Sequence, residues 1–196
     1  MPSLSPETTD PEIMLQDDMA SFYADPMGFV MYAYPWDTDK TIQIVELVEP
    51  WASRYNSKYG PDKWACEYLD VLAKEVAKRG FNGKDAVDPI RMAVASGHGV
   101  GKSAMTGWLV NWIMSTRPLS QGTVTANTFT QLETKTWAQI IKWANKCVTA
   151  HWFSISASKI YHRASKRMVL LCPDLPRRKL GSICWSACRQ QHIVLH

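Results

Sequence analysis

The sequence contains no apolar run approaching the ~20 residues that a membrane span needs. Residues 1–12 are rich in Ser, Pro and acidic side chains, without the basic start and apolar block of a secretory signal. Together these absences predict a soluble, intracellular protein. Five cysteines are an odd number, and Cys66 and Cys147 lie in stretches with helical spacing, so reduced thiols are expected rather than a disulfide framework. Carboxylates also run out: beyond Glu133 there is only Asp174, set between Pro173 and Leu175-Pro176, where a central strand is disfavoured.

What is present is enough for one core. The chain has 196 residues, 46% of them hydrophobic, and a mean hydropathy of -0.22, which argues against disorder. The net charge of +4 is unevenly placed: from Arg163 onward there are seven Lys/Arg and one Asp, which leaves −2 for the preceding residues. The basic character therefore belongs to the tail, and it does not mark the whole chain as a nucleic-acid binder.

Asp10-Pro11 predicts a helix start running to Phe22, with Asp25-Pro26 as its break. Residues 29–34 fit either helix or strand, and 42–51 carry helical spacing. Trp64, Tyr68, Leu69, Leu72 and Val76 recur at helical intervals over 61–79, closed by Arg79-Gly80. Ile90 to Ala95 reads as a strand buried in a sheet. Helix is expected over 103–116, with Met105, Trp108, Leu109, Trp112 and Ile113 on one side, and strand over 121–126. Thr128 and Gln131 stand at capping-box spacing before a helix reaching about Val148. The order strand, loop, helix, strand, helix predicts an α/β fold with right-handed crossovers.

Between the first strand and its helix lies Ser96-Gly97-His98-Gly99-Val100-Gly101-Lys102-Ser103. It matches the Walker A pattern G-x-x-x-x-G-K-[ST] except at Ser96. Glycines at 97, 99 and 101 let the backbone turn and bring amides toward phosphate oxygens. The following helix start adds unpaired N–H groups and a favourable dipole. Lys102 is then the candidate catalytic residue at the β- and γ-phosphates, the Ser103 hydroxyl the Mg²⁺ ligand, and Ala104 the next amide in the cradle. The bland alternative is a glycine-rich turn with no ligand, and His98 reads more simply as a loop residue facing solvent.

The run Ala95 to Ala104, with Gly122 to Thr128 and Gln131 to Trp137, resembles the ATPase half of tailed-phage terminase large subunits. Asp25-Pro26 through Pro35-Trp36 and Gly60 to Trp64 are similar to the lead of that family, so the resemblance covers about 17–162. It implies a P-loop NTPase of the ASCE (RecA-like) type: a parallel sheet with flanking helices, incomplete here and preceded by a helical N-terminal region. It also implies ATP and Mg²⁺ as ligands, a DNA-packaging motor coupled to a nuclease domain, and a place in the cytoplasm of a bacterial host. Double-stranded phage DNA, the terminase small subunit and the portal are the implied partners, with no membrane. Thr125, Asn127 and Gln131 resemble the family's coupling motif, and equally fit a strand end with a helix cap. Where many relatives have Trp-Gln, this chain has Trp64-Ala65.

The family holds Mg²⁺ and orients water with a Walker B strand, and no segment after Ser103 provides one. The organisation expected is a helical lead over 1–60, a partial ATPase domain over 61–162 and an aberrant basic tail over 163–196. Shifted by one nucleotide, and with permitted codon choices, that tail decodes into a segment resembling the family's sequence ahead of Walker B, so it reads as out of frame. Cys184, Cys188, His192 and His196 fall four apart, but zinc sites use tighter Cys pairs, and no zinc is expected. The functional expectation is an ATP-binding, truncated terminase fragment with weak or no hydrolysis. A stand-alone nucleotide-binding module and a non-functional prophage remnant remain the alternatives.

Overall fold

A computed structural model describes residues 10–80, 87–94, 99–117, 119–125, 128–166, 168–171, 183–187 and 191–195. Helix α1 (Pro11–Ser21) starts as the sequence predicts, with Pro at its first position and the Asp10 side chain accepting from Glu12 N at 2.9 Å. A 3-10 turn, Phe22–Ala24, follows. Asp25 ends that turn and restarts the chain, because its Oδ1 accepts from Gly28 N at 2.8 Å and caps α2 (Pro26–Ala33). The ambiguous segment 29–34 is therefore helical through Ala33.

The helix expected over 42–51 does not form. Leu47 N donates to Lys58 O at 2.8 Å and Gly60 N to Val45 O at 3.3 Å, so these residues pair across to 58–60 instead. Only α3 (Trp51–Tyr55) is helical there. Helix α4 (Lys63–Arg79) matches its expectation, burying Leu69, Leu72 and Val76 and ending at Gly80 with φ 60.

Helix α5 (Lys102–Thr116) differs from its expected one-sided face: Met105 and every residue from Gly107 to Thr116 are buried. It runs through the middle of the core, between the N-terminal helices and a later helical stretch made of α6 (Phe129–Gln131), a π-type segment Leu132–Trp137 and α7 (Ala138–Lys146). A Cβ placed on Gly107 would lie 3.2 Å from the Trp143 side chain, so glycine lets α5 and α7 approach closely. Tyr34, Trp36, Trp108 and Trp143 pack around that crossing with ring centroids 5.0 Å (Tyr34–Trp143) to 6.1 Å (Tyr34–Trp36) apart. These tryptophans are core, and their rings are not displayed for stacking on bases.

The strands are β1 (Ile90–Met92), β2 (Ser120–Val124), β3 (Phe153–Ile155), β4 (Lys159–His162), β5 (Met168–Leu171), β6 (Ile183–Ala187) and β7 (Gln191–Leu195). They lie in the order β1-β7-β6-β2-β5-β4-β3. The pairs β1–β7 and β2–β5 are parallel, whereas β2–β6, β6–β7, β4–β5 and β3–β4 are antiparallel.

This overturns the expected fold class. The protein is mainly helical, and it does not form the parallel sheet of an ASCE or RecA-like P-loop NTPase. The reason lies in the connections: among residues 153–195 no helix is described between successive strands, and short links force neighbours to run antiparallel, whereas parallel neighbours need a long crossover. The expected buried strand at 90–95 is also shorter and one-faced, since Ile90 is buried while Arg91 and Ala93 are exposed.

Candidate functional site

The glycine-rich loop leaves β1 and enters α5. Ser96, Gly97 and His98 lie outside the described residues, so the site is built from Gly99 onward. Gly99 has φ 84 and Gly101 φ 85, a region that L side chains enter only at a cost of about 1–2 kcal/mol. Among the described residues, a Cβ at either position would meet nothing within 4 Å. Glycine is thus required here by backbone conformation.

Gly101 is the N-cap of α5 and contributes no side-chain capping bond. Its carbonyl accepts from Met105 N at 3.1 Å, which makes Lys102, Ser103 and Ala104 the first-turn residues, whose amides have no carbonyl four residues back inside the helix. All three are partly exposed. The first turn therefore combines amide hydrogens and the positive end of a long helix with the partly exposed residues Lys102 and Ser103.

Sequence reasoning missed what holds the loop. Trp64 Nε1, in the first turn of α4, donates to Val100 O at 3.0 Å and ties the loop to that helix. The adjacent Ala65 is buried at 1% exposure, so the position that departs from the family pattern is part of the core. An indole at a helix start just after Gly60-Pro61 was the available signal, but nothing in spacing says which carbonyl it seeks.

The coupling-motif residues are placed separately. Thr125 is buried and follows β2. By the chain of pairings β1 and β2 point the same way, so Thr125 and the glycine loop leave the same edge of the sheet. They are three strand spacings apart, about 14 Å, because β7 and β6 intervene. Asn127 lies outside the described residues. Gln131 is exposed, and its backbone N donates to Thr128 Oγ1 at 3.2 Å, so the cap reading accounts for that pair.

A nucleoside triphosphate fits the loop in one respect and not in another. The positive-φ glycines and the uncapped helix start suit a polyphosphate. For Mg²⁺, Ser103 offers one hydroxyl, and among the described residues no group of three or more His, Cys, Asp or Glu could hold a metal. Of the cysteine and histidine positions spaced by four in the tail, Cys184 lies on strand β6 and His192 on strand β7, not on a helix, while Cys188 and His196 are outside the described residues. Cys66 and Cys147 are free and buried; burial pushes the Cys66 thiol up to about 12 and raises that of Cys147. Among the described residues, no helix is long and apolar enough to cross a membrane. Compared with known proteins, the chain matches no family model, no curated protein and no solved structure.

Proposed function

We propose that this chain is an ATP-binding unit of the phage terminase large-subunit type, a part of an ATP-driven DNA-packaging motor. The observation that carries the reading is the turn into α5, where two positive-φ glycines precede Lys102 and Ser103 at an uncapped helix start. In this proposal the loop amides and the Lys102 ammonium hold the β- and γ-phosphates, and the Ser103 hydroxyl contributes to Mg²⁺. The loop is carried by a mainly helical unit with a mixed sheet, so the proposal rests on the loop and not on the fold around it.

The chemistry available beyond binding is limited. Orienting the attacking water takes a carboxylate at the metal, and the only carboxylate after Glu133 is Asp174. ATP should bind and turn over slowly. A titration with a fluorescent ATP analogue and Mg²⁺ should give saturable binding, weakened at least ten-fold by Lys102→Ala. Absence of binding to the unmodified chain defeats the proposal. Fast turnover that is lost in Lys102→Ala would leave the binding assignment standing and overturn the expectation of slow hydrolysis.

A further inference from the structure

A second concavity lies away from the phosphate loop. This cavity, of about 480 Å³, is lined by Phe22, Tyr32, Trp36 and Tyr55 together with the carboxylates Asp25 and Asp37. Among the described residues, Asp37 accepts from the neutral donors Ser57 Oγ at 2.8 Å, Lys58 N at 3.1 Å and Tyr59 N at 3.3 Å. Asp25 accepts from Gly28 N. Among the described residues neither carboxylate forms an ion pair, and the cations nearest in the chain are engaged elsewhere, Lys58 with Glu46 at 3.3 Å and Arg54 with Asp70 at 3.5 Å. Arg54 also lies against the Tyr55 ring, 5.1 Å from its centroid.

Among the described residues, the Tyr55 hydroxyl is buried without a hydrogen-bond partner. Burial, and next the charge of Asp25, push its phenol up to about 12, which places the carboxylate near the ring. A contrasting cavity of about 580 Å³ near α1 lacks this character, because Glu12 there already accepts from Trp152 Nε1 and pairs with His151.

We propose that the cavity between α2 and Tyr55 binds an organic cation, an alkylammonium or guanidinium group. Aromatic faces attract such a cation through their quadrupoles, and two carboxylates that form no ion pair among the described residues add attraction for positive charge. A bare metal ion suits the site less, since five of the twelve lining residues are aromatic and the described residues contain no cluster of three ligating side chains.

Calorimetric titration of the full chain with choline, with argininamide and with the neutral isostere 3,3-dimethylbutan-1-ol tests this. Saturable binding of choline or argininamide, with the neutral alcohol at least ten-fold weaker, is expected, and the better cation identifies the class. The double variant Asp25→Asn, Asp37→Asn keeps carbonyl acceptors for the cap and the loop, and should lose at least ten-fold in cation affinity while ATP-analogue binding is unchanged. Should that variant fail to fold, Tyr32→Ala removes an exposed ring and should weaken binding several-fold at an unchanged melting temperature. The proposal is overturned if neither cation saturates, if the alcohol binds equally well, or if the folded variants bind as the unmodified chain does.

Discussion

At its N-terminal end α5 begins at Lys102, just after Gly101 and with no side-chain capping bond; at its C-terminal end Arg117 is packed among close partners. There Arg117 is only 6% exposed. Its guanidinium lies 3.8 Å from the Tyr23 ring centroid and 4.5 Å from that of Trp112, and donates to Tyr23 O at 2.5 Å and Thr116 Oγ1 at 2.7 Å. Trp112 Nε1 donates to Phe22 O at 2.8 Å beside it. Burial lowers the Arg117 guanidinium to about 10, so it still carries its charge at neutral pH. One helix thus spends its last turns fixing the N-terminal segment and keeps its first three residues partly exposed. A ligand at the first turn meets a helix that is already immobilised, which limits the ordering that binding requires.

If that contrast is right, damage at the two ends should separate stability from binding. The largest effect belongs to Trp112, fully buried at 0% exposure. Trp112→Ala should cost about 3–5 kcal/mol in denaturant unfolding, through the cavity and the loss of the indole's hydrogen bond to the Phe22 carbonyl. Arg117→Ala should cost about 2 kcal/mol, because the Tyr23 carbonyl loses a buried donor. Arg117→Met, which keeps the packing and removes the buried charge, should cost less; equal losses would show that packing against Tyr23 contributes little.

At the N-terminal end the balance reverses. Gly101→Ala should cost about 1 kcal/mol from its backbone conformation, yet lower ATP-analogue affinity more than either Arg117 variant does. A folded Gly101→Ala chain that binds as well as the unmodified one would remove the distinction between the ends.

The smallest effect lies in acid. The Lys146 ammonium, with Thr41, holds the Asp39 carboxyl down at about 2. Its contribution is present above the ordinary carboxylate value near 3.8 and is lost as pH falls from there through about 2. The melting temperature should fall less steeply over that window in Asp39→Asn than in the unmodified chain, and an identical slope would mean the pair adds nothing.

Much of the local structure could be read before any coordinates. Asp10-Pro11 caps α1, Gly80 ends α4, and the Gly99–Gly101 turn precedes a helix, because each depends on backbone preferences of a few adjacent residues. Where the reading failed, partners distant in sequence decided the outcome. The helical spacing of 42–51 lost to pairing with 58–60, and the one-sided face of α5 proved buried all round because helices from both directions along the chain cover it. Likewise Trp64 reached Val100 across 36 residues.

By itself, then, the sequence determined helix starts and stops, the positive-φ glycines and the clustering of Lys102 and Ser103 at one helix end, since those follow from short-range sterics and hydrogen bonding. Only the tertiary structure decided which strands are neighbours. It set β7 and β6 between β1 and β2, made four of the pairings antiparallel, and so separated Thr125 from the glycine-rich loop. Strand pairing joins residues far apart in the chain, and its direction follows from the connections that the whole fold permits rather than from the pattern within any one strand.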